Sequence, residues 1–156
     1  MRLLRLAAAS AALAALMTGC GWSPPPAPPT STVDCGPGPT QDAVTAEFAL
    51  LPEAPWREVS RGNTPDCALQ WVIVTSGDAS DSPQQVLFFD RGEPVGSPTP
   101  DPRPYITVTA QGDHDAVVQY QWRQDQDPAC CPTGIGTARV TLEEGRLTVL
   151  DPIPGP

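Results

Sequence analysis

Lysine is missing from this chain. All nine basic residues are arginines, set against 18 aspartates and glutamates and one histidine, for a net charge of −9. Nucleic-acid binding rests on neutralising phosphates with Lys and Arg, so this balance argues against that partner class. It also argues against broad contact with anionic lipid headgroups. Aromatic residues make up only 6% of the chain. Long hydrophobic runs are absent too: the longest, Leu6 to Met17, falls short of the ~20 residues needed to cross a bilayer. There is no C-x-x-C, no Gly-x-Ser-x-Gly and no EF-hand spacing, which removes the commonest metal, hydrolase and calcium signatures. The one histidine, His114, is isolated in the sequence. No cofactor, metal or catalytic residue is expected, and no internal repeat is visible.

What is present begins with Cys20. Met1 to Arg5 carries two positive charges, Leu6 to Met17 is apolar apart from Ser10, and Thr18-Gly19 leads into the cysteine. This is the pattern of a lipoprotein signal peptide over residues 1–19, cleaved so that Cys20 becomes the first residue and carries the lipid. Met17 stands where Leu is commonest, with Leu16 one place back. One acyl chain binds a membrane only marginally, at about 0.8 kcal/mol per buried methylene, whereas a diacylglyceryl group with further fatty acylation, such as palmitate, anchors stably. The expectation is a protein lipid-anchored at the extracytoplasmic face of the cell membrane.

Processing would remove Arg2 and Arg5 and leave seven arginines against 18 acids, a net charge near −11. Residues 20–39 read as a tether rich in proline, which favours an extended chain of about 3.1 Å per residue. Residues 40–156 fit one domain.

Four further cysteines, Cys35, Cys67, Cys130 and Cys131, form an even set in an exported chain and read as disulfide candidates. A Cys130–Cys131 bond closes a strained eight-membered ring. The reading therefore ties Cys35 and Cys67 each to the Cys130-Cys131 pair. The alternative weighed is Cys35–Cys67, with Cys130 and Cys131 as a reactive thiol pair.

Thr40 to Leu51 reads as a helix: Thr40 caps it, Asp42 suits its positive end and Pro52 stops it. Val44, Phe48 and Leu51 share one face. The remainder reads as strands, at Ala68–Thr75, Gln84–Phe89 turning into Pro94-Val95-Gly96, Tyr105–Thr109, Val117–Trp122, Ile135–Leu142 and Leu147–Leu150. The fold expected is α+β: one N-terminal helix packed on an antiparallel sheet of about six short strands, stapled by disulfides. Val86 to Phe89 is continuously apolar, as suits a strand covered on both faces. Phe88 and Phe89 are then core residues, or else line a lipid groove.

Ser82 to Phe89 (SPQQVLFF), the following Gly92 and Gly96, and the Cys-Pro-x-Gly at Cys131 to Gly134 stand in that order behind the Cys20 motif. Together they resemble the actinobacterial LppP/LprE lipoprotein family over roughly residues 35–154. The resemblance implies an envelope lipoprotein without an assigned activity, and it lends no catalytic residue.

Candidate chemistry is sparse. Asp113-His114-Asp115 has an acid–base look but falls in a turn, where Asp is expected for backbone reasons. Glu143-Glu144 and Asp125/Asp127 sit on turns, and Gly77, Asp78 and Asp81 lack calcium-loop order. Two functional readings follow. One is a non-enzymatic module at the membrane's outer surface that binds an envelope protein, glycan or lipid on a patch rimmed by Trp56, Tyr105 or Trp122. The other is a wall-acting enzyme or enzyme inhibitor, which would need His114 buried beside a serine.

Overall fold

The computed structural model describes residues 33–155. The expected signal segment, Cys20 and the tether up to residue 32 lie outside them. Among the described residues no helix is long and apolar enough to cross a membrane.

Helix α1 (Gln41–Glu47) starts where the Thr40 hydroxyl accepts a hydrogen bond from Ala43 N–H at 3.2 Å. It tightens into a 3-10 turn at Phe48–Leu50 and ends before Pro52. Two four-stranded antiparallel sheets follow. The first has the order β1 (Arg57–Asn63), β2 (Leu69–Thr75), β3 (Gln84–Asp90), β4 (Glu93–Gly96). The second has the order β5 (Thr107–Ala110), β6 (Asp115–Trp122), β7 (Gly134–Glu143), β8 (Arg146–Val149). Every pair is sequence-adjacent and antiparallel, as short turns require.

The class is broadly α+β, but the expectation of a single sheet of about six strands is corrected to two sheets with eight strands in all. The break falls where Pro98, Pro100, Pro102 and Pro104 follow one another. Proline has no N–H to give a ladder, so the chain cannot extend the first sheet there and crosses to start the second. One isolated bridge, Gln84 to Arg103, ties this crossover to β3 through the backbone, helped by the Gln85 amide donating to the Thr99 carbonyl and the Ile106 N–H donating to Gln84 Oε1, both at 2.9 Å.

The layers are helix, first sheet, second sheet. Leu69, Trp71, Ile73, Val86 and Phe88 meet Ala116, Val118, Tyr120, Ala138 and Val140 between the sheets, with Ile106. On the other face of the first sheet, Val72, Val74, Leu87 and Phe89 pack under Val44, Phe48, Leu51 and Trp56. Both faces of β2 and β3 are thus covered, which is why their apolar residues run without alternation. Phe88 and Phe89 are completely buried, one on each face, and line no groove. Burying an aromatic side chain this fully is worth several kcal/mol; truncation to Ala typically costs about 3–5 kcal/mol. Gly92 follows Arg91 at the β3–β4 turn, and both have positive φ, +96° and +46°, the geometry of a type I′ hairpin.

The expected cysteine pairing is corrected as well. Cys35 bonds to Cys67, with Cα atoms 5.3 Å apart, and Cys130 bonds to its neighbour Cys131. The reason is position along the strands. Cys67 lies in the β1–β2 turn, while Cys130 and Cys131 lie in the β6–β7 connection beside Ser80 of the β2–β3 loop. Those are opposite ends of β2, seven residues or about 23 Å apart. Cys35 reaches the first end because Arg61 of β1 donates to the carbonyls of Pro37 and Pro39, holding residues 35–39 along that strand.

Candidate functional site

At the Cys130–Cys131 end, a cleft of ≈ 550 Å³ opens between the proline-rich crossover, the end of β6 and the β2–β3 loop. Pro102, Arg103, Pro104 and Tyr105 form one wall; Tyr120, Gln121, Trp122 and Arg123 form another; Asp81 and Asp101 stand at its edge.

The backbone places each of these groups. Val118, Tyr120 and Trp122 are every second residue of β6 and share its inward side. Trp122 lies at the strand's end, where it pairs with Gly134 of β7. A Cβ on Gly134 would fall 2.5 Å from Trp122 Cε2, so the indole rests directly on a strand that has no side chain there. Tyr105 has a φ of +59°, a left-handed conformation that costs a non-glycine residue about 1 kcal/mol or more. Its hydroxyl donates to the Ala129 carbonyl, which also accepts from the Ser80 hydroxyl at 3.1 Å. The loop that holds the Cys130–Cys131 bond is thereby tied to the cleft wall. Asp127 organises the same loop: its Oδ2 accepts from Gln124 N–H at 2.8 Å, Thr133 N–H at 2.7 Å and the Thr133 hydroxyl at 2.8 Å. The backbone bonds from Gln124 and Thr133, followed by the Thr133 hydroxyl and helped by the Arg123 charge, hold its carboxyl below the usual range.

Electrostatics single this cleft out. Seven arginines lie among the described residues. Arg57, Arg61, Arg91, Arg139 and Arg146 each pair with a carboxylate: Asp78, Glu58, Asp90, Asp151 and Glu144 respectively. Arg103 and Arg123 have no such pair, and both line the cleft. Arg103 is steered by one hydrogen bond to the Pro154 carbonyl at 2.6 Å and by the Tyr120 ring, whose centroid is 5.6 Å from its Cζ. Arg123 Nε donates to the Asp127 carbonyl at 2.8 Å. Tyr120 is 1% exposed, and its hydroxyl has no hydrogen-bond partner. Burial pushes that phenol up to about 12, partly offset by the Arg103 charge.

The LppP/LprE lipoprotein family model matches residues 61–145, more than half of the chain. Proteins named lipoprotein LppP from Mycobacterium bovis and from two strains of Mycobacterium tuberculosis are 47% identical over 146 residues, covering 88% of this chain and 83% of theirs. The chain belongs to the LppP/LprE lipoprotein family. The matched span runs from β1 to the β7–β8 turn and contains every residue that lines the cleft. The Cys-Pro-x-Gly at Cys131 to Gly134 thus ends on the glycine under Trp122. No solved structure matches the chain.

The other residues singled out in sequence do not converge on this LppP/LprE cleft. His114 sits at the β5–β6 turn, half exposed, at the opposite end of the strands; its Nδ1 is 3.5 Å from Asp66 Oδ2. Burial raises the Asp66 carboxyl, but bonds from Ala68 N–H and the Thr64 hydroxyl, with the His114 and Arg91 charges, outweigh it and leave the pKa lowered. No serine hydrogen-bonds to His114 among the described residues, so the pair lacks a nucleophile. Trp56 packs on the helix side, its Nε1–H donating to the Pro52 carbonyl at 2.7 Å. Tyr105 and Trp122 do share the cleft. Asp78 pairs with Arg57, Glu144 lies 3.7 Å from Arg146 at the β7–β8 turn, and no cluster of three potential metal ligands occurs among the described residues. No sequence motif marks Arg103, Arg123 or Tyr120. The one available hint was an Arg and a Tyr embedded among the prolines at residues 102–105.

Proposed function

We propose that this LppP/LprE family member is a lipoprotein anchored through Cys20 to the extracytoplasmic face of the membrane, and that its domain is a non-enzymatic binding module working through the Tyr105–Trp122 cleft. The observation that carries this reading is the composition of the cleft. It gathers three aromatic side chains and the two arginines that form no salt bridge among the described residues. Ligand sites are concave, largely apolar or aromatic, and carry a few placed polar groups. The family resemblance and the Thr18-Gly19-Cys20 motif support the anchor.

Two measurements test the two halves. Cys20→Ser should move the protein from the detergent phase to the aqueous phase and abolish labelling with a palmitate analogue; retention in the membrane fraction would refute the anchor. An array of envelope glycans, lipids and peptides probed with native protein and with Trp122→Ala should show a ligand lost in the variant. Binding that survives Trp122→Ala unchanged would remove the cleft from the function.

A further inference from the structure

We infer that the ligand of the cleft is an acidic sugar, a pyranose or furanose ring bearing one carboxylate. This rests on the binding-module reading and names the chemistry the site would select.

Charge sets the first limit. Arg103 and Arg123 supply two positive charges, and Asp81 and Asp101 supply two negative ones. A cleft balanced in this way repels a multiply charged phosphate ester at its carboxylate edge as much as it attracts it at the guanidinium wall. A single carboxylate suits it better. Arginine presents paired N–H groups at the spacing of carboxylate oxygens. Among the described residues, Arg103 donates through Nη1 alone and Arg123 through Nε alone, so each guanidinium keeps donors free. In an otherwise acidic chain, leaving these two unpaired in one place is what an anion-binding site requires.

The walls set the second limit. A sugar ring presents a face of C–H bonds that stacks on an aromatic ring, and its hydroxyls project around the edge. Trp122 and Tyr105 are half-buried aromatics on the two walls. Trp122 is immobilised on Gly134, and Tyr105 is held by its bond to the Ala129 carbonyl, so little side-chain freedom is lost when a ring docks. Asp81, Asp101 and Gln121 can accept or donate to the sugar hydroxyls at the edge.

Tyr120 is the independent observation. Tyr120 belongs to the cleft lining, and its hydroxyl, buried beneath that wall, lacks a partner among the described residues. A polar group left unmatched in the free protein gains a hydrogen bond once a hydroxylated ligand draws that ring toward the cleft.

The test is calorimetric titration of the whole protein with an oligogalacturonate and with a galactose oligomer of equal length, followed by backbone NMR shifts. The oligogalacturonate should bind with shifts at residues 101–105 and 120–123, and should weaken as salt rises. The neutral oligomer should bind at least roughly tenfold more weakly, the range expected for losing a charge-assisted hydrogen bond. Arg123→Gln should lower uronate affinity by a similar factor with an unchanged melting temperature, and Arg123→Lys should recover part of it. Tyr120→Phe should fold at least as stably as the native chain and still bind more weakly. Equal binding of the neutral oligomer, or indifference to Arg123→Gln, would overturn the acidic-sugar inference and leave the cleft reading standing. Uronate shifts confined to residues outside the cleft would overturn both. Absence of binding by both oligomers would overturn the sugar inference, and the array described above then decides the cleft.

Discussion

Opening the Cys35–Cys67 bond should cost far more stability than opening Cys130–Cys131. The first closes a chain segment with a sequence separation of 32, the second a separation of 1. In the chain-entropy description, cross-linking removes about 2.1 + 1.5R ln n cal/mol/K from the unfolded ensemble, about 3.7 kcal/mol for the long loop and about 0.6 kcal/mol for adjacent residues. A domain of this size typically has about 5–15 kcal/mol in total, so the first loss is severe and the second barely visible. The assay is urea unfolding followed by tryptophan fluorescence, comparing the native protein with Cys35→Ser/Cys67→Ser and with Cys130→Ser/Cys131→Ser. With an m value of about 1.5 kcal/mol/M, the first double variant should lose about 2.5 M in midpoint. A loss below about 1 M for that variant, or an equal loss for the second, would refute the reasoning. Peptide mapping without reductant supplies an independent check. Any fragment joining Cys35 or Cys67 to the Cys130-Cys131 peptide would overturn the pairing itself.

Three further outcomes are expected. Gly134→Ala puts a methyl group into the Trp122 indole and should destabilise by about 1–3 kcal/mol while shifting the tryptophan emission; an unchanged spectrum would contradict the stacking. The Arg139 guanidinium, and with it the Arg139 backbone N–H, holds the Asp151 carboxyl down to about 2. Its folded pKa is below the unfolded value of about 3.9, so its contribution is present above that value and lost as pH falls from there toward 2. Melting temperatures measured across that window should fall less steeply for Asp151→Asn than for the native chain. Tyr120 works in the opposite sense: its folded pKa of about 12 exceeds the ordinary 10, so stability present below pH 10 is lost as pH rises toward 12. Tyrosinate absorbance should show this late titration, and Tyr120→Phe should abolish it.

The local elements were readable because their signals are local. Val44, Phe48 and Leu51 sit three and four residues apart, and the stripe they form does pack on the first sheet. The unbroken Val86–Phe89 run announced a strand covered on both sides. β1 was not readable. Its segment, Arg-Glu-Val-Ser-Arg-Gly-Asn, is an edge strand with a register shift between Glu58 and Ser60, and that shift leaves Val59 exposed and spoils the alternation. The partition into two sheets depends on which strands meet across the core, which spacing along the chain does not encode. The cysteine pairing failed for the same reason: ring strain is visible in sequence, but the end of a strand at which each cysteine falls is not. Tyr105 and Trp122 stand out in the sequence as rim residues on aromatic character alone. The arginines beside them acquire meaning only once the other five are seen to be paired.

The Cys35–Cys67 bond also decides how the domain carries load. Any pull delivered through the chain ahead of Cys35 passes across the disulfide to Cys67 and enters β2, the central, fully buried strand of the first sheet, two residues further on. Residues 36–66, which include α1 and the edge strand β1, lie inside the bridged loop and off the line of force. They cannot be peeled away from the N-terminal side while the bond is intact. A surface-tethered domain built this way would have to break a strand with neighbours on both edges before its helix felt any tension, whereas in a reducing medium the helix would be the first element to come loose.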